Sequence, residues 1–216
     1  MDILEAIQQR RSTRAFLDKP VERETLERLL SLATQAPSAI NMQPWELIVV
    51  SGEERQRLSR LLVKRMRERN ISCGPGATKT LPEIFVERQR ELLQCILPTL
   101  EEGTPFNDFI NEGSCNFYGA PTALILTIDD VFSSARMTDM GVMVGYLVLS
   151  AYALGLGTCP IGLITAFDED IKDLLNLPQE SKVVVGMAVG YPDPDARINK
   201  ARSNRMTLQE AVKWRE

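Results

Sequence analysis

Three separate runs of apolar, largely β-branched residues constrain the fold of this chain more than any other feature. They span residues 45–52, 121–128 and 182–190. Apolar runs of this length without alternation are typical of strands that are buried on both faces of a sheet. We therefore predict a mixed α and β architecture in which helices pack on both faces of a central sheet.

The segments between these runs carry helical periodicity. Apolar residues recur at helical spacing over residues 2–9, and again after Pro20 until Pro37 ends the pattern. Thr138 or Asp139 is expected to cap a long helix from Met140, and Gly155 to end it. The other stretches that favour helices are 53–70, 83–97, 168–175 and 207–214.

Residues 71–117 interrupt the regular pattern. Glycine and proline predict a flexible loop over 71–82, and a second loop is expected around Gly103, Pro105 and Gly113. We interpret 71–117 as a partly helical excursion that could cover a site, within a single domain over residues 1–216. A further loop is predicted at 157–162.

The composition excludes several classes of enzyme. The sequence contains no histidine, so it cannot build a Ser-His-Asp or Cys-His catalytic unit or a His-ligated zinc or iron site. Its four cysteines form no CxxC pair, and we expect no metal site. Two acidic residues in the first five argue against a signal peptide, and the apolar stretch 140–157 is interpreted as a buried helix. We therefore expect a cytoplasmic protein with no membrane partner.

Two clusters of cationic residues lie far apart in the sequence. The first, at the end of the first helix, comprises Arg10, Arg11, Ser12 and Arg14. The second comprises Lys200, Arg202 and Arg205. Guanidinium groups match phosphate geometry, so the two clusters would bind one phosphate if they converge. A solvated turn and a basic tail are the competing interpretations.

Two loops offer further contacts for a ligand. Residues 37–45 hold two amides, a hydroxyl and an indole, which suit either a ligand surface or a helix-to-strand connection. Residues 155–162 are rich in glycine but follow a helix, so a dinucleotide-binding fingerprint does not fit their context. Their small residues would let the backbone approach a flat ligand.

A strongly basic helix is predicted over 53–70. Its residues 55–69 raise the alternative of a nucleic-acid surface. The net charge is −4, three glutamates interrupt the basic residues, and no aromatic residue lies among them. We therefore predict a solvated helix face and no nucleic-acid partner.

Taken in order, these segments resemble the nitroreductase family of flavin enzymes over essentially the whole chain. The resemblance rests on RRSTRAF, PSAINMQPW, FYGAPTALIL, DMGVMVGYLVLSAYALGLGTCPIG, VGMAVGYPDP and the Arg-rich tail before TLQEAV. It implies an α+β fold with a mixed, mainly antiparallel central sheet flanked by helices. It also implies an intertwined homodimer with one FMN at each end of the subunit interface.

The resemblance assigns roles to individual positions. Within the segment Arg10–Arg14, Arg10 and Ser12 would reach the phosphate and ribityl chain, and Arg14 the pyrimidine edge of the flavin. The segment that the other subunit supplies matches Pro37, Ser38, Ala39 and Asn41. The loop across the ring, with the amide of Gly162 near N5, matches Pro160, Ile161, Gly162 and Leu163. The phosphate-binding tail matches Lys200, Arg202 and Arg205, of which two would contact the phosphate.

The resemblance is weaker in the middle of the chain. Some family members carry an Asn and a Lys that contact the flavin from the middle helix, and the stretch 85–89 lacks them. An aromatic-lined substrate pocket is expected from Phe106, Phe109, Phe117 and Tyr118.

The implied activity is that of an FMN-dependent oxidoreductase. NAD(P)H would reduce the flavin, and a nitroaromatic, quinone or similar small-molecule acceptor would re-oxidise it in a ping-pong mechanism. The flavin N5 carries the hydride, so no catalytic protein residue is required. The alternatives are a family member with other chemistry, such as reductive dehalogenation or flavin fragmentation, and a flavin carrier or sensor without turnover.

Overall fold

The computed structural model describes residues 2–215, and a four-stranded sheet lies at their centre. The strands are β1 (Trp45–Ser51), β2 (Thr122–Asp129), β3 (Gly157–Ile161) and β4 (Ser181–Gly190). They lie in the order β1-β2-β4-β3, and each neighbouring pair is antiparallel. The three predicted strands are confirmed, as are the α+β class and the antiparallel sheet.

Helices flank both faces of this sheet. In the described part of the chain they are α1 (Ile3–Gln9), α2 (Arg23–Ala33), α3 (Gly52–Glu68), α4 (Glu83–Ile96), α5 (Phe106–Cys115), α6 (Met137–Ala153), α7 (Asp168–Leu175) and α8 (Leu208–Ala211). Side chains of α2 and α6 share one core cluster with the sheet, and side chains of α3, α5 and α7 share another.

The central strand β2 explains the continuous apolar run at 121–128. Ala123 and Ile125 belong to the core on the α3 side, whereas Leu124, Leu126 and Ile128 belong to the core on the α2 and α6 side. Because a strand alternates its side chains between faces, a strand covered on both faces needs apolar residues at every position.

Three sequence predictions about local structure are wrong. Residues 157–161 form the edge strand β3 and not a loop, and an edge strand tolerates Pro160 without losing a ladder bond. The second expected loop is present around Gly103 and Pro105, but Gly113 belongs to α5, and the ring of Tyr118 from the following turn occupies the space beside it. Helix α6 starts at Met137, so neither Thr138 nor Asp139 caps it.

The basic residues of α3 and its C-terminal end are largely neutralised within the chain. Five of them form ion pairs with glutamate or aspartate: Arg57, Lys64, Arg65, Arg67 and Arg69. Two of these, Arg65 and Arg69, converge on the buried Asp170 of α7. The face is therefore a mixed-charge surface that ties α3 to its neighbours.

Among residues 2–215, no helix combines the length and apolar character needed to cross a membrane.

Candidate functional site

The cationic segment after α1 lies along the exposed edge of the sheet. The amide of Thr13 donates to the carbonyl oxygen of Thr158 at 2.8 Å, which holds the segment parallel to β3. The side-chain oxygen of Asn199 accepts from the amide of Arg14 at 2.9 Å, and its amide group donates to the carbonyl of Ala15 at 2.8 Å. The segment is therefore fixed from two sides, by the edge strand and by the region after β4.

A cavity of about 390 Å³, which we call the cationic cavity, opens beside this segment. The two cationic clusters of the sequence converge on it, although they are separated by almost the whole chain. Its polar lining includes Arg10, Arg11, Ser12, Arg14, Arg202 and Arg205. Leu92, Cys95 and Ile96 of α4 complete it.

The charge in the cationic cavity is unbalanced. No carboxylate lines it, and within residues 2–215 none of its five arginines forms an ion pair. Burial lowers the pKa of Arg10, and the nearby charge of Arg205 lowers it further. Guanidinium groups held together without counter-charge favour a bound anion, and their planar forks suit phosphate.

A second, larger cavity of about 590 Å³ adjoins the first, and we call it the apolar cavity. Arg14 and Leu92 line both cavities and so mark the junction between them. Among the described residues, Arg14 is the one charged residue that lines the apolar cavity. The wall from β3 consists of Cys159, Pro160, Ile161, Gly162 and Leu163. Nothing lies within 4 Å of the position where a Cβ on Gly162 would point, so the backbone there is open to a ligand.

Helix α5 contributes a polar stripe to the apolar cavity, and the sequence did not predict it. Asn107, Asn111 and Ser114 lie on one face of α5 and line the apolar cavity. Asn111 also accepts a hydrogen bond from the amide of Cys73 at 2.8 Å, which ties the 71–82 loop to this wall. Their spacing of four and then three residues places them on one helix face, and this signal is readable only where the segment is known to be helical.

Together the two cavities suit a phosphorylated flat ring compound such as FMN. The cationic cavity supplies unpaired guanidiniums for a phosphate, and the adjoining cavity supplies apolar walls for a ring system. Near the junction, the Nε atom of Arg14 is buried and has no hydrogen-bond partner among residues 2–215. A buried donor of this kind is normally satisfied by a ligand or water.

The four predicted aromatic pocket residues lie in different surroundings. Phe106 and Tyr118 line the apolar cavity. Phe109 packs against the ring of Tyr118, with the ring centroids 5.8 Å apart. Phe117 is completely buried in the core on the α3 side. The structure therefore brings two of the four to the cavity wall.

The third residue of the cationic tail is placed apart from the other two. Lys200 lines a neighbouring cavity together with Thr13, Tyr152 and Thr158, and Arg10 and Arg11 line both this cavity and the cationic cavity. Arg202 and Arg205 line the cationic cavity and place their guanidiniums near Gln9 and Ser203 respectively.

The predicted loop over 37–41 lines neither cavity, and most of it is exposed. Its backbone is unusual, because Ile40, Asn41 and Gln43 have φ values of 47°, 59° and 48°. Left-handed backbone is costly for a β-branched residue, so the surroundings must hold it. The carboxylate of Asp139 on α6 accepts from the amide of Ala39 at 3.2 Å, and Ile40 is left 90% exposed.

Residues that could ligate a metal do not gather in the described part of the chain. No group of three or more Cys, Asp or Glu residues of residues 2–215 is arranged to hold an ion. Burial raises the pKa of Cys115 to about 12 and also raises the pKa of Cys159, so both thiols keep their protons.

Comparison with known proteins gives one family. A family model described as the Nitroreductase family matches residues 7–191. A 4-nitrobenzoate reductase of Pseudomonas putida is 33% identical over 207 residues, which cover 93% of this chain and 89% of that protein.

Solved structures give the same result. The FMN- and NADPH-dependent nitroreductase NfnB from Sphigopyxis sp. strain HMH superposes with a TM-score of 0.90 at 25% identity, covering all of both chains. The FMN-dependent nitroreductase NfnB from Mycobacterium smegmatis, solved in complex with NADPH, gives a TM-score of 0.87 at 28% identity, again over 100% of each chain. By sequence and by fold, the chain belongs to the nitroreductase family.

Proposed function

We propose that this protein is an FMN-dependent oxidoreductase that takes electrons from NAD(P)H and passes them to nitroaromatic, quinone or similar acceptors. The observation that carries the proposal is the convergence of five unpaired arginines on one cavity that opens into an apolar cavity. The names of the similar proteins agree with it, since they include a 4-nitrobenzoate reductase and a nitroreductase in complex with NADPH.

In this proposal the cationic cavity holds the phosphate and ribityl chain of FMN. Arg10, Arg202 and Arg205 bind the phosphate, because their guanidiniums form no ion pair among residues 2–215. Arg11 and Ser12 line the same cavity and contribute to the contact surface. Lys200 is left out of the phosphate contact, because the cavity that it lines shares Arg10 and Arg11 with the cationic cavity but neither Arg202 nor Arg205.

The apolar cavity then holds the flavin ring and the acceptor. The wall 160–163 would lie along the ring with the Gly162 amide beside N5, and the open space at the Cβ position of Gly162 leaves room for the ring there. Arg14 stands at the junction, where its charge favours electron density on the pyrimidine edge. FMN supplies the two-electron chemistry when it is bound, and the chain binds, orients and shields it from water.

The exposed surface supports a homodimer. The chain exposes 13,028 Å² at 24.2 kDa, whereas a monomeric protein of this mass exposes about 10,000 Å². Part of the surplus is apolar: Ile3, Leu4 and Ile7 of α1 are each more than half exposed. A surplus of this size is typical of a subunit whose large interface a second copy would cover.

The loop over 37–41 supports an FMN site at that interface. It is held in a left-handed conformation and tied to α6 by Asp139, yet Ile40 projects into solvent. We infer that Pro37, Ser38, Ala39 and Asn41 contact the FMN bound by the partner subunit. A loop that is ordered before the partner arrives costs less to fix on association.

An anaerobic titration tests the proposed function. The purified protein should be yellow, contain one FMN per chain and sediment as a dimer. NAD(P)H should bleach the flavin absorbance without oxygen, and a nitroaromatic acceptor should restore it. A stable flavin that NAD(P)H does not bleach would indicate a carrier, and bleaching that nitroaromatics and quinones fail to reverse would indicate other chemistry. A colourless monomer that takes up no FMN would overturn the proposal.

A further inference from the structure

Tyr118 occupies a specific place in the apolar cavity. Its ring lies 5.8 Å from the guanidinium carbon of Arg14, which is one of the two residues that line both cavities. The exposed Cys73, from the 71–82 loop, also lines the apolar cavity. Tyr118 therefore lies at the end of the apolar cavity that meets the cationic cavity.

The backbone that carries Tyr118 is held in an unfavourable conformation. Phe117, Tyr118 and Gly119 have φ values of 56°, 52° and 72° in succession. Left-handed backbone at two consecutive bulky residues persists only when the surroundings impose it, and such strain is concentrated at functional sites. The guanidinium of Arg55 donates to the carbonyl of Asn116 at 3.5 Å, and the side chain of Phe117 is buried in the core.

The ring of Tyr118 is also fixed by its neighbours. A Cβ atom on Gly113 would lie 2.4 Å from Cε1 of this ring, so the absence of a side chain there creates the space that the ring fills. Phe109 packs against the same ring. The phenol therefore has one orientation, which is a requirement for a group that positions a ligand.

The hydroxyl of Tyr118 is a neutral donor with spare capacity. Burial raises its pKa, and Ser114 and Arg14 oppose this shift without reversing it. Within the chain it meets the hydroxyl of Ser114 at 3.4 Å, which is long for a bond between two hydroxyls. A ligand oxygen at ordinary distance would make a stronger bond with the phenol.

We propose that the Tyr118 hydroxyl donates a hydrogen bond to a carbonyl oxygen on the pyrimidine edge of FMN, beside the guanidinium of Arg14. This inference rests on the proposed function. A phosphate in the cationic cavity directs the ring past Arg14 into the apolar cavity, and Tyr118 lies against that arginine. Negative charge develops on the pyrimidine edge when the flavin is reduced, and a fixed donor stabilises such charge. Tyr118 keeps its proton, so its effect is to favour the reduced cofactor.

The midpoint potential of the bound flavin tests this inference. Tyr118→Phe keeps the ring that fills the space beside Gly113 and stacks on Arg14, and it removes the hydroxyl alone. We expect the reduced flavin to bind about tenfold more weakly relative to the oxidised flavin, which lowers the midpoint potential by about 30 mV for two electrons. The matched control is Tyr191→Phe, which removes a hydroxyl that bonds Glu22 outside both cavities and should leave the potential unchanged.

A second measurement covers the case in which Tyr118→Phe fails to fold. The chain has four tyrosines, so uniform fluorotyrosine labelling gives four fluorine signals, and the conservative variants of the other three assign them. The Tyr118 signal should move when FMN binds and move again when the flavin is reduced. A Tyr118 signal insensitive to both steps would overturn the inference.

The outcomes separate this inference from the proposed function. If the wild-type protein binds and reduces FMN but Tyr118→Phe keeps the wild-type potential, the inference is wrong and the function stands. If Tyr118→Phe changes only the rate at which the acceptor re-oxidises the flavin, Tyr118 contacts the acceptor, and the inference is again wrong. Failure of the wild-type chain to bind FMN would overturn both.

Discussion

A Cβ atom on Gly157 would lie 2.4 Å from Oγ1 of Thr13, so the edge strand and the cationic segment are in contact only because residue 157 has no side chain. Gly157→Ala should push the segment 10–14 away from β3. We expect the unfolding free energy to fall by about 1–3 kcal/mol, which is typical of overpacking, and FMN affinity to fall with it. Urea denaturation and a fluorescence titration with FMN measure the two effects.

Thr13→Ala in the Gly157→Ala background is the control for this clash. It removes Oγ1 and Cγ2 of Thr13, two of the three atoms that the new methyl would meet. Partial recovery of stability, seen as favourable coupling in a double-mutant cycle, is expected. Simple additivity of the two losses would show that Gly157 acts in another way.

Loss of Arg10 should affect FMN binding far more than folding. Arg10 makes no ion pair in the described chain and lies near the like charge of Arg205, so Arg10→Ala should not lower the unfolding free energy of the apo protein. A charge-assisted phosphate contact contributes roughly 1.5–3 kcal/mol, so FMN should bind about ten- to hundredfold more weakly. Lys200→Ala is the control and should bind FMN normally; equal losses in the two variants would contradict the assignment.

Asp139 should be needed for the loop over 37–41. Its carboxylate is buried and holds both the amide of Ala39 and the guanidinium of Arg136, each at 3.2 Å. Asp139→Ala leaves both donors without a partner and should cost about 1–3 kcal/mol in unfolding free energy. Asp139→Asn keeps an acceptor oxygen, so its unfolding free energy should fall by less than that of Asp139→Ala. Sedimentation of both variants would reveal any accompanying loss of the dimer, and wild-type stability of the alanine variant would refute the role.

The shared cavity predicts ping-pong kinetics. Arg14, the 160–163 wall and the polar stripe of α5 enclose a space in which nicotinamide and acceptor must take turns beside the flavin. Initial-rate plots against acceptor at several NAD(P)H concentrations should give parallel lines, with substrate inhibition at high NAD(P)H. Lines that intersect would require a ternary complex and would rule out one shared position.

Cys115 should make the protein less stable in alkali. Burial raises the pKa of its thiol to about 12, whereas an unfolded thiol ionises near pH 8.5, so the native state holds the proton more tightly. The protonated thiol makes its full contribution to the unfolding free energy below about pH 8.5. That contribution is lost as the pH rises toward 12, by about 1.4 kcal/mol per pH unit. Urea denaturation at about pH 8 and about pH 10 should show a smaller decrease for Cys115→Ala than for the wild type. Equal decreases would contradict the assignment.

The sheet was predictable from the sequence because a strand covered on both faces leaves a continuous apolar run. The run at 121–128 is the clearest case, since every one of its side chains from 122 onward is buried. The edge strand β3 was missed because it is short, contains Pro160 and is defined by its pairing with β4. Local composition carries no information about such a partner.

The sequence predicted a phosphate site from two arginine clusters but could not divide their members between cavities. Only the three-dimensional structure brings Arg202 and Arg205 to the cationic cavity and Lys200 to its neighbour. The role of Gly113 was invisible for a related reason. Its significance depends on the ring of Tyr118, five residues away, which occupies the space beside it only because of the left-handed turn at 117–119.

The two halves of the cationic cavity are made at different times during protein synthesis. Arg10 and Arg14 leave the ribosome early, whereas Arg202 and Arg205 follow only after about 190 further residues, roughly 10–40 s later at ordinary rates of translation. Until then the early arginines lack these later partners, although the edge strand β3 at 157–161 has already been made. A phosphorylated ligand that needs both halves of the cavity is therefore held fully only once the chain is nearly complete.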